Sequence, residues 1–588
     1  MMKSSAGPLR SNRVATAVLC LLTTAMMILS AAPYAAADTE SGRSRPVIFT
    51  TEGEINRAIR RVAERQEPFY GSWLKTKAVA DAALTKTYVP DQNYHHERYF
   101  GTARPQAQDA RSLALAARIT GDDRYAEKAR EILRLWAKDA IDGEYPGWGS
   151  PHQMGLVIGR VIPIFADAYA MLWDELPAQE RSLMEQWFRK MAEATMISRN
   201  IFRYETHTCD YGVCRYRGEP GTYLGGNYFS NHLSAHNLGM LAIGAMFRDG
   251  RMIQEQLDSP KNDRDLRELI NGAIVMPDDL GGGVADGDLY KGDPTYTAGA
   301  PLPEPGEIWD RSRTTQGHGL HYTFLHLQLL MLQADIAKNN GSRDWFAYVG
   351  PRGENLELPF KIYDDFLMTA DPGVRTGYYV ASTIEYNLVT LYELAHREYR
   401  KNRDARKVLE SFDRARFIGD HQTFGWTLPL TDGLDDLALA EHLYPASGKS
   451  SWTFDTDGDF EAVTVRKAPA TVAGGSLNLT VNQDDPGVVT PDLLGLPTDD
   501  YGKVEVRMRN QTADTQLVVY FSTDEDPVID GAKRAAITVT ANDAEFKTYL
   551  IDLSQNPEWT GRIRQLRVDP VQGTSTGTVA IDSIRVVS

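Results

Sequence analysis

The sequence has 588 residues, too many for a single hydrophobic core, so we expect two or more domains. Its 42% hydrophobic and 24% charged residues are ordinary for a soluble globular protein. A formal net charge of −16 argues against nucleic acid as a partner, because nucleic-acid binding needs a basic surface.

The N-terminus has the form of a signal peptide over residues 1–37. Three basic residues precede the apolar stretch Val14–Ile28, and small residues then suit cleavage between Ala37 and Asp38. The apolar stretch is short, which favours cleavage over a membrane anchor, and we expect no later segment to span a bilayer. We therefore predict a secreted protein. Cleavage removes those three positive charges and moves the net charge from −16 to −19, so local Arg and Lys would have to hold any anionic substrate.

Residues 38–445 are predicted to form a helical catalytic domain. From Glu54 to about Arg416 apolar residues recur at helical spacing, and strand-like alternation is scarce. Successive helices joined by turns predict antiparallel hairpins arranged as a solenoid or an (α/α) toroid. The predicted helices are Ala107–Thr120, Asp123–Ala137, Met154–Leu176, Ala178–Met196, Phe229–Phe247, Thr315–Asn339, Leu356–Thr369 and Ile384–Tyr399.

Two long Gly/Pro/Asp-rich stretches, Phe202–Tyr228 and Asp278–Asp310, interrupt these helices. Their many aromatic residues predict ordered loops that face a substrate. The first stretch contains Cys209 and Cys214, which we predict to form a disulfide because the protein is expected to be exported. A metal site at this pair is the weaker interpretation, since no further cysteine remains to complete it.

Residues 446–451 are a predicted linker, and residues 452–588 are predicted to form an antiparallel β-sandwich. Short alternating runs separated by turn residues indicate the strands. The acidic turn Asp455–Asp459 is a candidate for a structural calcium ion. All 12 histidines lie between His95 and His442, so acid–base chemistry is expected in the helical domain. The predicted strands are Lys503–Arg509, Thr515–Ser522, Ala535–Thr540, Lys547–Leu553, Ile563–Val568 and Thr578–Val587.

The first candidate site begins with a Gly-rich loop that leads from Asn227 to an apolar helix. Asn231 and His232 open that helix, and His236 follows one turn later on the same face. Asn231 could simply cap the helix while the histidines lie at the edge of the core. The His-x-x-x-His spacing could instead bind a metal, although the acidic residue of a zincin is missing. The third interpretation is a polar catalytic cluster.

A second candidate site is the stripe formed by His318, Tyr322 and His326, which recur every four residues beside an apolar helix face. Such a stripe is costly to bury without partners, so we expect it to line a wet cleft. A solvated helix face is the alternative, weakened by the absence of Lys and Glu. Just upstream, Arg311 and Arg313 could bind carboxylates bidentately.

Two stretches nearer the N-terminus offer further substrate contacts. His95 and His96 lie in Tyr94-His-His-Glu-Arg-Tyr, and Trp148 lies in Tyr145-Pro-Gly-Trp-Gly. Aromatic rings in such stretches stack on sugar rings, but they serve equally as ordinary anchors of loops.

These motifs resemble the alginate-lyase superfamily of (α/α)-toroid polysaccharide lyases over roughly residues 45–430. The likeness is carried by Gly-Asn-Tyr-Phe-Ser-Asn-His at 226–232 and Thr-Thr-Gln-Gly-His-Gly-Leu-His-Tyr at 314–322. Mannuronate-specific members read Asn-Asn-His-x-Tyr-Trp in the first motif, and the Tyr-Trp pair is missing here. Thr315 stands where those members carry an arginine. The resemblance implies β-elimination on a uronic-acid polymer and leaves the identity of that polymer open.

The resemblance also implies roles for the site residues. Asn231, helped by His232 or an arginine, would neutralise the uronate carboxylate so that the C5 proton becomes acidic. Tyr322 would protonate the leaving oxygen and would also act as the base in a syn elimination. His232 or His318 is the alternative base. No metal or other cofactor is required for this chemistry.

The C-terminal part resembles the jelly-roll modules of many secreted glycan-active enzymes, which implies carbohydrate binding or a supporting role. Two other functions remain open. One is an (α/α)-barrel glycoside hydrolase, for which Asp109, Asp286 and Asp288 are available carboxylates. The other is a glycan-binding protein without activity. The expected partner is an anionic polysaccharide, with no nucleic acid or membrane, and the protein is expected to be a monomer.

Overall fold

The computed structural model describes residues 45–91, 95–142, 151–204, 209–210, 213–214, 230–276, 304–308, 310, 319–369, 389–412, 414, 427–435, 437, 447–482, 485–492, 494–524, 529–573 and 576–588. Within these ranges helices precede residue 433, and antiparallel strands follow residue 450. The predicted signal peptide lies outside the described residues. The helices are α1 (Glu52–Ala63), α2 (Phe69–Leu84), α3 (His96–Thr120), α4 (Asp123–Asp142), α5 (Pro151–Met171), α6 (Ala178–Tyr204), α7 (Asn231–Phe247), α8 (Gly250–Leu257), α9 (Leu266–Ala273), α10 (Gly319–Asn339), α11 (Leu358–Thr369), α12 (Leu391–Glu398), α13 (Arg403–Ser411) and α14 (Leu428–Asp432).

The helix boundaries differ from the predicted ones where proline or glycine decides them. Helix α3 begins eleven residues before the predicted start, because it continues through Pro105 instead of beginning after it. It ends as expected at Gly121, whose φ of 70° caps the helix in the left-handed conformation. Helix α5 likewise contains Pro163 and ends at Met171, and the predicted remainder forms a short 3₁₀ turn at Trp173–Glu175.

Four helices, α3, α5, α7 and α10, form an inner layer. Helix α7 has no face exposed to solvent, since each residue from Asn231 to Met246 is buried. This is typical of a helix surrounded by other helices. Helices α4, α6 and α8 pack outside this layer against their neighbours in the chain. Within the described residues, Gln153–Met171 of α5 is long and apolar enough to cross a membrane. We expected no such segment; this one is entirely buried inside the domain.

The inner helices run parallel to one another. Along α7 and α10, Ser234 contacts His326 and Asn237 contacts Gln333, so the contacts advance in the same direction. Along α3 and α5, the Arg160 guanidinium lies 4.0 Å from the centre of the Phe100 ring, and further along the two helices Arg111 bonds Asp167.

Helices α5 and α7 also run parallel and approach closely through glycine. Gly155 faces His236, and Gly159 faces Gly239. These contacts together place the N-terminal ends of α3, α5, α7 and α10 at one end of the domain.

The last helix, α14, returns to the first. Arg61 of α1 donates to the carbonyl oxygens of Leu430 (3.1 Å) and Gly433 (2.7 Å), and α14 packs against both α1 and α2. Parallel inner helices with outer helices between them, closed in this way, form the predicted (α/α) toroid. The predicted fold of a helical domain followed by a β-sandwich is confirmed.

The C-terminal strands form two antiparallel sheets around a second core. One has the order β11-β10-β13-β7-β4 with β8 on β13, and the other β12-β9-β14-β6-β5 with β3 on β14. Burial alternates along β9, whose Val504, Val506 and Met508 point inward. The strands are β1 (Cys209–Asp210) and β2 (Val213–Cys214), which pair with each other, then β3 (Ser451–Trp452), β4 (Thr464–Arg466), β5 (Ala470–Val472), β6 (Leu477–Val481), β7 (Gly487–Val489), β8 (Leu496–Pro497), β9 (Lys503–Gln511), β10 (Gln516–Thr523), β11 (Arg534–Thr538), β12 (Lys547–Asp552), β13 (Arg562–Asp569) and β14 (Gly577–Val587).

The acidic turn of the sandwich uses its carboxylates within the protein. Asp457 accepts a hydrogen bond from the backbone N–H of Gly474, and Asp459 accepts one from Glu461. No group of three or more His, Cys, Asp or Glu side chains converges as a metal site in the described part of the chain. The calcium ion in this turn stays a prediction.

Candidate active site

Helix α7 begins with an unusual N-terminal cap. Ser230 occupies the cap position in extended backbone, but its side chain makes no capping hydrogen bond. The carboxylate of Asp310, 79 residues away in sequence, accepts the backbone N–H of Asn231 at 3.0 Å. The same carboxylate accepts the side-chain Nδ2 of Asn231 at 2.9 Å. The interpretation of Asn231 as the helix cap is therefore wrong, because Asp310 supplies the cap.

Asp310 is itself held by a histidine of α10. His326 Nδ1 lies 2.6 Å from Asp310 Oδ2, and His326 Nε2 lies 2.6 Å from Ser234 Oγ. Because a carboxylate oxygen accepts hydrogen bonds, Nδ1 of His326 donates to Asp310, while Nε2 pairs with the hydroxyl of Ser234. The prediction that His326 lines a wet cleft is wrong, since all three side chains are fully buried.

The connectivity of Asp310, His326 and Ser234 is that of a hydrolase triad. Ser234, however, is fully buried and lies three residues further along α7 than Asn231, away from the N-terminal end of the helix. The network therefore fixes positions and does not supply a nucleophile.

The side-chain amide of Asn231 has one free atom. Its Nδ2 faces Asp310, while its Oδ1 is buried and has no hydrogen-bond partner within the described residues. Leaving a buried acceptor unsatisfied costs about 1–3 kcal/mol, so such an atom in a native protein calls for an explanation. A ligand that brings a hydrogen-bond donor to Oδ1 would explain why this atom is left unpaired.

His232 lies next to Asn231 and keeps 8% of its surface exposed. Its ring stacks on Phe202 at the end of α6, with the ring centres 4.8 Å apart and the planes 19° apart. This contact orients the imidazole at the same end of α7 as the Asn231 amide.

His236 does not take part in this site. It is fully buried, its Nδ1 donates to the carbonyl oxygen of His232 at 2.5 Å, and its Nε2 lies 3.0 Å from Ser198 Oγ. Ser198 in turn accepts the backbone N–H of Gly155. Because both ring nitrogens are engaged inside the protein, the predicted substrate contact is wrong, and the alternative interpretation of the His-x-x-x-His spacing as a metal pair does not fit His236. His236 has a structural role.

Tyr322 lies on α10, one turn before His326, and is half-buried. Its ring meets that of His321 edge-on, with the centres 5.1 Å apart. Because α7 and α10 are parallel and joined at Ser234 and His326, Tyr322 lies at the same end of the helix pair as Asn231. Two residues 91 positions apart in sequence thus share one end of the toroid.

Two helix N-termini lie at this end, and each carries a partial positive charge. The N-terminus of α7 is already bonded to the carboxylate of Asp310, which accepts the backbone N–H of Asn231. Asn231 is the first residue of α7, and Tyr322 is the fourth of α10. The charge of Asp310 offsets part of the positive potential that the helix ends present to a second anion.

The remaining predicted residues divide into two groups. His95 and His96 lie at the N-terminal end of α3, their rings stacked 4.7 Å apart, and therefore at the same end of the toroid, although no described contact joins them to Asn231. The β1–β2 register places the backbones of Cys209 and Cys214 directly opposite each other, and the disulfide stays a prediction. The rest lie outside the described residues: Asn227, Trp148, Arg311, Arg313, His318, Asp286 and Asp288.

Sequence reasoning missed the role of Asp310. His326 and Ser234 gave a signal, because each is a polar residue in an otherwise apolar helix. Asp310 gave none, since nothing in the sequence indicates which distant helix its carboxylate reaches.

Comparison with known proteins agrees with the resemblance seen in the sequence. The family model described as alginate lyase matches residues 28–275. Similar solved structures include an alginate lyase from Bacteroides ovatus, 13% identical over 67% of this chain and 100% of that chain, with a TM-score of 0.42. They also include alginate lyase A1-III from Sphingomonas species A1, 15% identical over 59% of this chain and 84% of that chain, with a TM-score of 0.37. A carbohydrate-binding module of family 29 is 10% identical over 23% of this chain and 86% of that chain, with a TM-score of 0.18. No curated protein sequence matches the chain.

Proposed function

We propose that this protein is a polysaccharide lyase that cleaves a uronic-acid polymer by β-elimination. The match to the alginate lyase family supports the reaction class, and the matched residues include Asn231 and His232 at the start of α7. We further propose that residues 1–37 direct secretion and that the reaction needs no metal.

One observation carries the proposal: a buried, oriented amide with an unpaired oxygen lies at the same end of two parallel helices as a half-buried tyrosine. β-Elimination requires both kinds of group. It removes the proton on C5 of a uronate and expels the oxygen on C4, leaving a 4,5-unsaturated sugar.

The first requirement is to neutralise the carboxylate beside C5, because the C5 proton is hardly acidic until charge can develop there. We assign this role to Asn231. One Nδ2 hydrogen is bonded to Asp310, which leaves the second N–H to donate to the carboxylate of the sugar and Oδ1 to accept a hydrogen from a sugar hydroxyl. The N-terminal end of α10 adds to the stabilisation of the developing charge, while that of α7 is already bonded to Asp310.

The second requirement is proton transfer. We assign Tyr322 as the acid that protonates the C4 oxygen as the C4–O bond breaks. In a syn elimination the same side chain, as tyrosinate, first takes the C5 proton. His232, held against Phe202, is the alternative base when the C5 proton and the C4 oxygen lie on opposite faces of the sugar.

No observation favours the hydrolase. Asp109, the candidate acid among the described residues, is buried on α3, where it accepts hydrogen bonds from Lys86 Nζ at 2.9 Å and Tyr88 OH at 3.0 Å. These contacts hold the carboxylate inside the protein, whereas inverting and retaining hydrolases need two carboxylates flanking the sugar.

The test is to incubate the purified protein with a panel of uronic-acid polymers and to follow the ultraviolet absorbance of the unsaturated product. New absorbance supports a lyase. New reducing ends without absorbance indicate hydrolysis, and neither signal indicates a binding protein.

The assigned residues are tested by Asn231→Ala and Tyr322→Phe, which we expect to lower kcat by about 100-fold or more. Tyr399→Phe is the matched control. It removes a buried hydroxyl that donates to the carbonyl oxygen of Phe346, away from the site. Turnover close to that of the wild type in both site variants contradicts the assignment.

A further inference from the structure

The carboxylate of Asp310 accepts three hydrogen bonds, two of them from Asn231. Oδ1 accepts from Asn231 Nδ2, while Oδ2 accepts from the Asn231 backbone N–H and from His326 Nδ1. All these groups are fully buried, so water does not replace a lost partner.

This arrangement admits one orientation of the Asn231 amide. If the amide were rotated by half a turn, its Oδ1 would face Asp310 Oδ1 at about the 2.9 Å that now separates Nδ2 from it. Two acceptor oxygens at that distance with no proton between them repel each other. Asp310 therefore dictates that Nδ2 faces the protein and that Oδ1 stays unpaired.

Asp310 is in turn prevented from rotating. Its partner His326 lies on a different helix, α10, and is anchored at Nε2 by Ser234 of α7. The network thus joins α7 and α10 near the site. Ser234 holds His326, His326 holds Asp310, and Asp310 holds the amide of Asn231.

We propose that Asp310 is a positioning residue of the reaction, which fixes the donor and acceptor edge of the Asn231 amide toward the sugar acid, with His326 and Ser234 as its support. This inference rests on the proposed lyase function. It adds a residue that acts through Asn231 and makes no contact with the substrate.

Asp310→Asn is the sharpest test, because it has the same shape and replaces one acceptor by a donor. The new amide keeps its oxygen at the Oδ2 position, since the backbone N–H of Asn231 cannot stop donating. Its NH₂ then faces Asn231 Nδ2 and forces that amide to turn round. We expect kcat to fall by about 100-fold, the usual effect of a misplaced catalytic group, with little change in KM.

The decisive readout is a double-mutant cycle. If Asp310 acts through Asn231, adding Asp310→Asn to Asn231→Ala costs no further activity. A merely structural contribution of Asp310 costs the same in both backgrounds. Asp109→Asn is the matched control: it also neutralises a buried, hydrogen-bonded carboxylate of the helical domain, and we expect it to leave kcat unchanged.

A second pair of variants keeps the test decisive if Asp310→Asn does not fold. His326→Asn retains a donor near the position of Nδ1, whereas His326→Leu removes it. We expect the first to keep most of the activity and the second to lose it.

Wild-type rates in Asp310→Asn, additive losses in the cycle, or equal activity of the two His326 variants overturn the inference and leave the lyase function standing. An inactive wild type overturns the lyase function itself, whereas an active Asn231→Ala variant overturns the role of Asn231 and, with it, that of Asp310.

Discussion

His236 illustrates how the partners of a residue decide its role. It lies one turn from His232 on the same helix, yet its two nitrogens bond the carbonyl oxygen of His232 and the hydroxyl of Ser198. Its ring also fills the space that a side chain at residue 155 would occupy, 2.0 Å from a Cβ built on Gly155. This is the environment of a core residue.

We therefore expect His236→Ala to lower the free energy of unfolding by about 2–4 kcal/mol, because it leaves a cavity and an unpaired buried hydroxyl. The KM of the folded enzyme should not change. Urea denaturation and steady-state kinetics on the same preparation check both statements. A variant of unchanged stability and greatly raised KM would restore the substrate-binding role.

For single residues, the sequence indicates which side chains carry the chemistry but not which residues they form hydrogen bonds with. Asn231, His232 and Tyr322 were identified from motifs, and the structure brings them to one end of the toroid. Asp310 was not identified, because the hydrogen bonds that define its role span 79 residues to Asn231 and 16 to His326. Partners at such separations follow from packing, which local patterns do not encode.

The helices and strands follow from local sequence patterns more completely than the hydrogen-bond partners do. Periodic apolar residues predicted the helices α3 to α7 and α10 to α12, and alternating runs predicted β9 to β14. The short strands β3 to β8 were missed, since two to five residues give too little alternation to recognise. The parallel course of the inner helices was not predictable either, because it depends on which faces meet.

Helices α5 and α7 approach each other closely at Gly159, where backbone lies against backbone. A Cβ added to Gly159 would lie 1.8 Å from the carbonyl oxygen of Ala235, so the two backbones have to separate if residue 159 has a side chain. We expect Gly159→Ala to destabilise the domain by about 1–3 kcal/mol or more, and to lower activity because α7 carries Asn231.

Gly101→Ala is the matched control, since a Cβ at this exposed position of α3 meets nothing within 4 Å. There the better helix propensity of alanine should raise stability by up to about 1 kcal/mol. Thermal and urea denaturation compare the two variants. Equal effects at both positions would contradict the close-packing argument.

At the scale of the whole molecule, one buried cluster of charges closes the toroid. Arg397 of α12 donates to Glu54 of α1, Asp335 of α10, Asp432 of α14 and the neighbouring Glu398. Lys338 also pairs with Glu398, and Arg57 lies 3.7 Å from Glu54, so four carboxylates meet three cationic side chains. Burial, reinforced by the nearby Asp432 and Asp335, raises the pKa of Glu54 from 4.5 to about 8. Burial raises the pKa of Asp335 from 3.8 to about 7, against the opposing effect of Arg397.

These shifts make the stability of the domain depend on pH in a defined direction. Between the unfolded and the folded pKa of Glu54, the folded state holds a proton that the unfolded state has lost. Stability is therefore fully present below about pH 4.5 and decreases until about pH 8, by about 1.4 kcal/mol per pH unit for each such proton. Asp335 acts in the same direction between pH 3.8 and about 7.

We expect the urea midpoint of the wild type to fall as the pH rises from 5 to 8, and Glu54→Gln to flatten that decline. The substitution removes the ionisation but keeps an oxygen that can accept from Thr51, whose backbone N–H now bonds Glu54 at 2.8 Å. Glu410→Gln, on an exposed helix pair with Arg406, is the control and should retain the wild-type slope. A midpoint that rises with pH, or an equal slope in Glu54→Gln and the wild type, would show that the buried cluster does not govern the stability of the closed toroid.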